Sequence, residues 1–238
     1  MAICYVNIEP LSVMRDKVLG KTRLARLEAG RLKFEALSGD SCIVKHYLSL
    51  RAEDLMKARV RAVLLSGNFA DWSLYDVGEF GELFKLIDNH AIPTLGLCGG
   101  HQLLTLIYGG KVEPMRALKP GEIDPWPKFY PGFCKERGFK EVKVIESNPL
   151  FEGLPSRIVV NEAHYAEVKE LPEVFKLIAI GDECPIQAIS HKMKPIYGTQ
   201  FHPENYDDVH PDGMIVLKNF FDVAWTRTSS QDLPRQGK

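Results

Sequence analysis

The stretch Pro93-Thr-Leu-Gly-Leu-Cys-Gly-Gly-His-Gln-Leu-Leu-Thr-Leu-Ile-Tyr-Gly-Gly110 decides the fold. A short apolar run ends at Cys98, three glycines (Gly96, Gly99, Gly100) crowd the cysteine, and a helix-like run closes on a glycine pair. This is a strand, a tight turn and a helix. Working outward, "AICYVNI" (2–8) and "RAVLLSG" (61–67) are apolar runs of the same buried-strand type as "AIPTLGL" (91–97). Between the last two, Leu74, Val77, Phe80, Leu83, Phe84 and Ile87 recur at helical spacing. Strand and helix therefore alternate, which predicts an α/β fold with a mostly parallel sheet and helices on both faces. After 133, the runs "EVKVIE", "RIVVNEAH", "FKLIAIG", "PIQAIS" and "PIYGTQF" predict a small antiparallel or mixed extension, and "GMIVLKNFFDVAW" a final helix.

Two segments do not fit this alternation. Residues 12–37 are rich in Arg and Lys, with Leu19, Leu24, Leu27, Leu32 and Leu37 among them, and predict a solvated amphipathic helix or helix pair, or a docking surface. Residues 114–133 hold five prolines and predict a long loop or excursion. The 238 residues read as a single domain over 1–225, followed by a polar tail over 226–238.

Thirty basic and 31 acidic side chains leave a net charge of -1, so no global field favours nucleic acid or an anionic membrane. No segment approaches the roughly 18 uninterrupted apolar residues of a membrane span, and no signal peptide is evident, which predicts a cytoplasmic protein. Cys4, Cys42, Cys98, Cys134 and Cys184 are irregularly spaced with no CxxC pair, so reduced thiols are expected. The histidines show no metal-ligand spacing, and no metal or cofactor is expected.

Gly96-Leu97-Cys98-Gly99-Gly100 has the G-x-C-x-G form of a nucleophile elbow, with sulfur in place of a serine oxygen. The turn lifts the cysteine out at a helix N-terminus, where unpaired N–H groups favour a thiolate. The Gly99 N–H is then free to bind an oxyanion. A base is supplied by "PIYGTQFHPENY", in which His202 ends a strand-like run. Glu204, two residues on, faces the same side of an extended chain and can orient the imidazole.

"GLCGGHQLL" and "GTQFHPE" resemble the two signature stretches of the triad-type class I glutamine amidotransferases. Within that family "NPLFEGLP" (148–155), "NEAHYAEVKELPEVFKLIA" (161–179) and "CPIQAISHKMKPIYGTQFHPE" (184–204) are most similar to the amidotransferase domain of GMP synthetase. The resemblance implies a flavodoxin-like fold and release of ammonia from glutamine, with Cys98 as nucleophile, His202 as general acid/base and Glu204 as its orienting partner. It further implies Gly67 as the second oxyanion donor, Gln102 on the glutamine pocket, and Ala163-His164-Tyr165 as the segment whose backbone holds the α-carboxylate and amine. A separate synthetase subunit is the implied partner, since the chain has no room for an ATP-binding domain and no P-loop. The family's Gly-Gly-Pro is here Gly67-Asn68-Phe69, and Asn161 and Ala163 replace its Trp and Ser. A γ-glutamyl peptide hydrolase using the same triad, or an inactive regulatory homologue, are the alternatives.

Overall fold

The computed structural model describes residues 1–90 and 92–231, the last five by backbone course alone. In chain order the elements are β1 (Ala2–Asn7), α1 (Leu11–Arg15), α2 (Leu19–Ser38), β2 (Ser41–His46), α3 (Ala52–Lys57), β3 (Val60–Leu65), α4 (Gly81–His90), β4 (Thr94–Leu97), α5 (Gly99–Ile107) and β5 (Lys111–Pro114). There follow β6 (Glu136–Val144), β7 (Arg157–His164), β8 (Ala166–Glu170), β9 (Phe175–Ile180), β10 (Ala188–His191), β11 (Ile196–Thr199) and α6 (Asp212–Gln231).

The main sheet runs β2-β1-β3-β4-β11-β10-β9-β6-β7. Its first five strands are parallel neighbours, and the four pairings beyond β11 are antiparallel. The parallel half has the flavodoxin-type order, in which a ligand crevice opens at the carboxyl ends of the strands where the order reverses. Both Cys98, after β4, and His202, after β11, stand at those ends. Because β4 and β11 pair in register from Thr94↔Ile196 to Leu97↔Thr199, the two signature stretches are neighbours before any side chain is considered. The Cys98 N–H continues that ladder by donating to the Thr199 carbonyl at 2.8 Å.

Two apolar layers close on the sheet. Ile3, Tyr5, Phe34, Leu64, Leu95, Phe220 and Phe221 pack on the face covered by α2 and α6. Cys4, Val6, Val63, Leu65, Leu83, Ile87, Leu103 and Leu104 pack on the face covered by α4 and α5. Each of these side chains is less than 5% exposed, the condition under which apolar burial contributes about 1.5–3 kcal/mol per large side chain.

The basic segment is a helix pair, but its buried face is not the leucine set. Gly20, Arg23, Leu27, Gly30 and Phe34 turn inward at alternating spacings of three and four, while Leu19, Leu24 and Leu32 are exposed. Gly30 is required there because a Cβ would come within 3.1 Å of the Tyr5 ring. The strands β2, β5 and β8 and the short helix α3 go beyond what the sequence pattern predicts. The excursion 114–133 has no regular element beyond the end of β5, and an isolated bridge from Ala117 to Phe133 closes its neck. The final helix runs past 225 to Gln231, and the rest of the expected tail, 232–238, lies outside the described residues. No helix of the described residues is long and apolar enough to cross a membrane.

Candidate active site

Cys98 caps the N-terminus of α5 with φ +50° and ψ −102°, a strained conformation for a residue with a side chain. Such a position costs on the order of 1–3 kcal/mol and persists only when the surroundings enforce it. Here the glycines enforce it: a Cβ on Gly96 would lie 2.5 Å from the Gly100 carbonyl oxygen, and one on Gly100 2.5 Å from that of Leu65. Strand β4 and helix α5 thus meet backbone to backbone, with the Cys98 side chain, 6% exposed, held at the turn between them.

Gly67, at the end of β3, lies between the other two members of the expected constellation. The point where its Cβ would stand is 3.0 Å from His202 Cε1 and 3.7 Å from Cys98 Cβ. His202 is fixed from two sides. Its backbone N–H donates to the Asn161 carbonyl at 2.8 Å, and its Nδ1 lies 2.7 Å from Glu204 Oε1. Burial alone would depress the imidazole, but the Glu204 carboxylate and the Cys98 sulfur outweigh it and hold His202 well above its ordinary value. Glu204 is pushed up by burial, but His202, a backbone N–H and the Lys33 charge together hold it below its ordinary value. Lys33 of α2 donates to the Glu204 backbone carbonyl at 2.6 Å.

Gln102 lies one turn into α5. Its Nε2 donates to the Ala166 carbonyl at 2.7 Å and to Gln200 Oε1 at 3.0 Å, and its Oε1 accepts from Trp72 Nε1 at 2.6 Å. Gln200 in turn directs its Nε2 to Cys98 Sγ at 3.6 Å. This fully buried amide, inside the quoted "GTQFHPE", is not among the residues expected from the sequence; its alternation with His202 across a strand end is the signal that could have found it. His101, also buried, is pushed down to about 3 by burial and is a neutral packing residue against Gly198.

Ala163, His164 and Tyr165 form the corner between β7 and β8. The His164 side chain faces inward: Nδ1 donates to the Ala166 carbonyl at 3.0 Å, and Nε2 lies 3.1 Å from both Glu136 and Glu162 carboxylates. Burial would lower His164, but the two carboxylates raise it to about 10. Tyr165 donates to Asp71 at 2.9 Å and stacks on Tyr130 at 3.6 Å, which fastens the excursion to this corner. The His164 and Tyr165 side chains of this corner are thus taken up by Ala166, Glu136, Glu162, Asp71 and Tyr130.

Cys184, which has no base near it in sequence, stands beside Glu136 and His164 in space, with their ligand atoms within 4.8 Å of one another. Burial and the carboxylates of Glu136, Glu167 and Glu162 push this thiol far up, so it is no second nucleophile. The group also has the donor types of a metal site, yet the imidazole already spends both nitrogens on oxygen partners.

Comparison with known proteins gives the family of the chain. Residues 35–224 match the model of the glutamine amidotransferase class-I family. The chain is 33% identical over 172 residues to the glutamine-hydrolyzing GMP synthase subunit of Pyrococcus furiosus, covering 72% of this chain and 80% of that one. It is 35% identical over 168 residues to the corresponding subunit of Pyrococcus abyssi, covering 71% and 78%. A solved structure from Thermoplasma acidophilum, of a protein assigned as a GMP synthase subunit, superposes with a TM-score of 0.73 at 26% identity, over 97% of each chain. This chain belongs to the class I glutamine amidotransferases.

Proposed function

We propose that the protein hydrolyses the side-chain amide of glutamine through a Cys98 thioester and passes the ammonia to a separate synthetase subunit, in keeping with the glutamine-hydrolyzing GMP synthase subunits it resembles. The observation that carries this reading is the Cys98–His202–Glu204 constellation, its cysteine buried and its other two members half-buried, with a strained elbow on one side and the 2.7 Å imidazole–carboxylate contact on the other.

The Cys98 sulfur attacks the carboxamide carbon of glutamine, and the N–H groups of Gly67 and Gly99 stabilise the oxyanion. His202, charged by its contact with Glu204, gives its proton to the leaving nitrogen as the C–N bond breaks. Ammonia departs and leaves a γ-glutamyl thioester. Water then gives a proton to His202 as it attacks the thioester carbon, and glutamate is released with the sulfur restored. Gln102 lines the pocket, and the backbone of Ala163–Tyr165 takes the α-carboxylate and amine of the substrate. No step calls for a metal or organic cofactor. Ammonia is mostly protonated at neutral pH and would diffuse away, which is why an acceptor site on a partner is part of the proposal.

The test is ammonia and glutamate release from glutamine by wild type and Cys98→Ala, alone and with a GMP synthase synthetase subunit, beside cleavage of a γ-glutamyl dipeptide. Glutamine turnover that requires Cys98 and rises with the synthetase is the expected result. Preferential cleavage of the dipeptide would replace glutamine as substrate, and an inert wild type in all arms would leave a non-catalytic role.

A further inference from the structure

Arg23 and Glu9 form a charged pair, 3.6 Å apart, whose side chains are 5% and 0% exposed. A buried ion pair is a poor way to stabilise a core, because the cost of desolvating two charges offsets their attraction. Both residues precede residue 35, where the family match begins. Their partners show what they hold. Arg23 donates to the Gly67 carbonyl at 2.6 Å and to the Ser66 hydroxyl, and through Nε to Asn7 Oδ1 at 3.1 Å. Glu9 accepts the N–H groups of Phe69 and Ala70, each at 2.8 Å. The five residues 66–70 are thus gripped by their carbonyl side through α2 and by their amide side through the end of β1.

This grip fixes a peptide plane next to the elbow. All described peptide bonds are trans, so the Gly67 carbonyl and the Asn68 N–H point in opposite directions. With the carbonyl bound by Arg23, the Asn68 N–H is directed away from α2, and its nitrogen lies 2.9 Å from the point where a Cβ on Gly99 would stand. The Gly-Gly-Pro of the family is replaced here, so the loop has lost a proline that would have limited its backbone, and the charged pair supplies the restraint from outside the loop.

We propose that Arg23 and Glu9 are positioning residues for glutamine hydrolysis: by clamping 66–70 from both sides they hold the Gly67–Asn68 peptide, and with it the oxyanion loop, in place beside Cys98. The inference rests on the amidotransferase reading above. A clamp of this kind acts on the transition state, where charge develops on the carbonyl oxygen, and leaves ground-state binding of glutamine almost untouched.

The test uses the full chain with the synthetase subunit present, and the variants Arg23→Lys, Arg23→Met and Glu9→Gln, with thermal melts to confirm folding. Expected in the folded Met and Gln variants is a kcat lower by about tenfold to a hundredfold, up to the scale of a displaced catalytic group and short of the roughly 10²–10³ of a lost oxyanion donor, with KM within about threefold of wild type. Iodoacetamide alkylation of Cys98, which forms no oxyanion, should stay within about twofold, and Arg23→Lys should recover part of kcat. A folded variant with kcat near wild type, or an alkylation rate that falls in step with kcat, overturns the clamp. If Arg23→Met does not fold, Arg23→Lys and Glu9→Gln decide by the same split. If wild type releases no ammonia, the amidotransferase reading fails by itself. Amide hydrogen exchange at residues 67–70 then decides the clamp: faster exchange in Glu9→Gln supports it and unchanged exchange overturns it.

Discussion

Glu204 directs its carboxylate to a single side-chain partner: Oε1 sits 2.7 Å from His202 Nδ1, while the buried Oε2 has no hydrogen-bond partner. The imidazole is therefore the side chain on which the charge bears most directly. Glu204→Gln keeps the shape and removes that charge, so His202 loses its proton at lower pH. In the proposed mechanism the imidazolium protonates departing ammonia, so the alkaline limb of the kcat/KM profile for glutamine should move toward neutral pH. At pH 8 kcat should fall by about 10²-fold or more, as it does when the orienting carboxylate of a comparable triad is neutralised. A pH–rate profile of the variant checks this, and an unmoved alkaline limb would detach Glu204 from the imidazole.

Gly67→Ala introduces one methyl 3.0 Å from His202 Cε1 and 3.7 Å from Cys98 Cβ. The ring must give way or the end of β3 must shift, and in either case His202, Cys98 and the oxyanion donors lose register. A displacement of about 1 Å is enough for a kcat loss of about 10²-fold. Overpacking by one methyl costs roughly 1–3 kcal/mol, which a denaturation curve should show as a modest loss in a protein that still folds.

Thiol reactivity separates Cys98 from the other cysteines. Burial, as the largest cause in each case, raises Cys4 and Cys42 to about 12, lifts Cys134, and pushes Cys184 far above its ordinary value. At pH 7 and brief exposure to iodoacetamide, intact-mass spectrometry should find one adduct on wild type and none on Cys98→Ala. An adduct on the Ala variant would mean that one of the other thiols is more open than its packing shows.

Sequence is legible in this molecule where one physical requirement dominates a short stretch. The elbow can be read because only glycine fits at 96 and 100, whereas the histidine segment differs from its pattern: Pro203–Asn205 is a 3-10 turn rather than extended chain, and it is this turn after His202 that brings the Glu204 carboxylate to the imidazole. The parallel core follows from uninterrupted apolar runs. Helix α2 departs from its pattern for a specific reason: most of its buried stripe is Gly20, Arg23 and Gly30, so hydrophobic spacing points to leucines of which Leu19, Leu24 and Leu32 face outward. The same Arg23 shows why its role is illegible in sequence, since its partners Glu9, Ser66 and Gly67 lie up to 44 residues away. Gln200 and the group around His164 are likewise products of tertiary packing, and β8 is hidden because three of the five residues of "AEVKE" are charged and one of them, Glu167, is buried.

That His164 group has a stability signature of its own. Nε2 lies between Glu136 and Glu162, both buried, and the imidazole is raised to about 10. A group whose folded-state value lies above its unfolded one binds its proton more tightly when folded. Its contribution is complete below the unfolded value of about 6.5 and is lost as the pH rises through about 10. His164→Gln should therefore destabilise most near pH 6.5, on the order of 3 kcal/mol for a broken buried pair, and far less near pH 10. Urea unfolding of wild type and variant at pH 6.5, 8 and 10 measures this difference directly. The gap between the two proteins should close steadily with rising pH; a gap that stays constant would mean that His164 is held neutral and contributes only through packing and its Ala166 hydrogen bond.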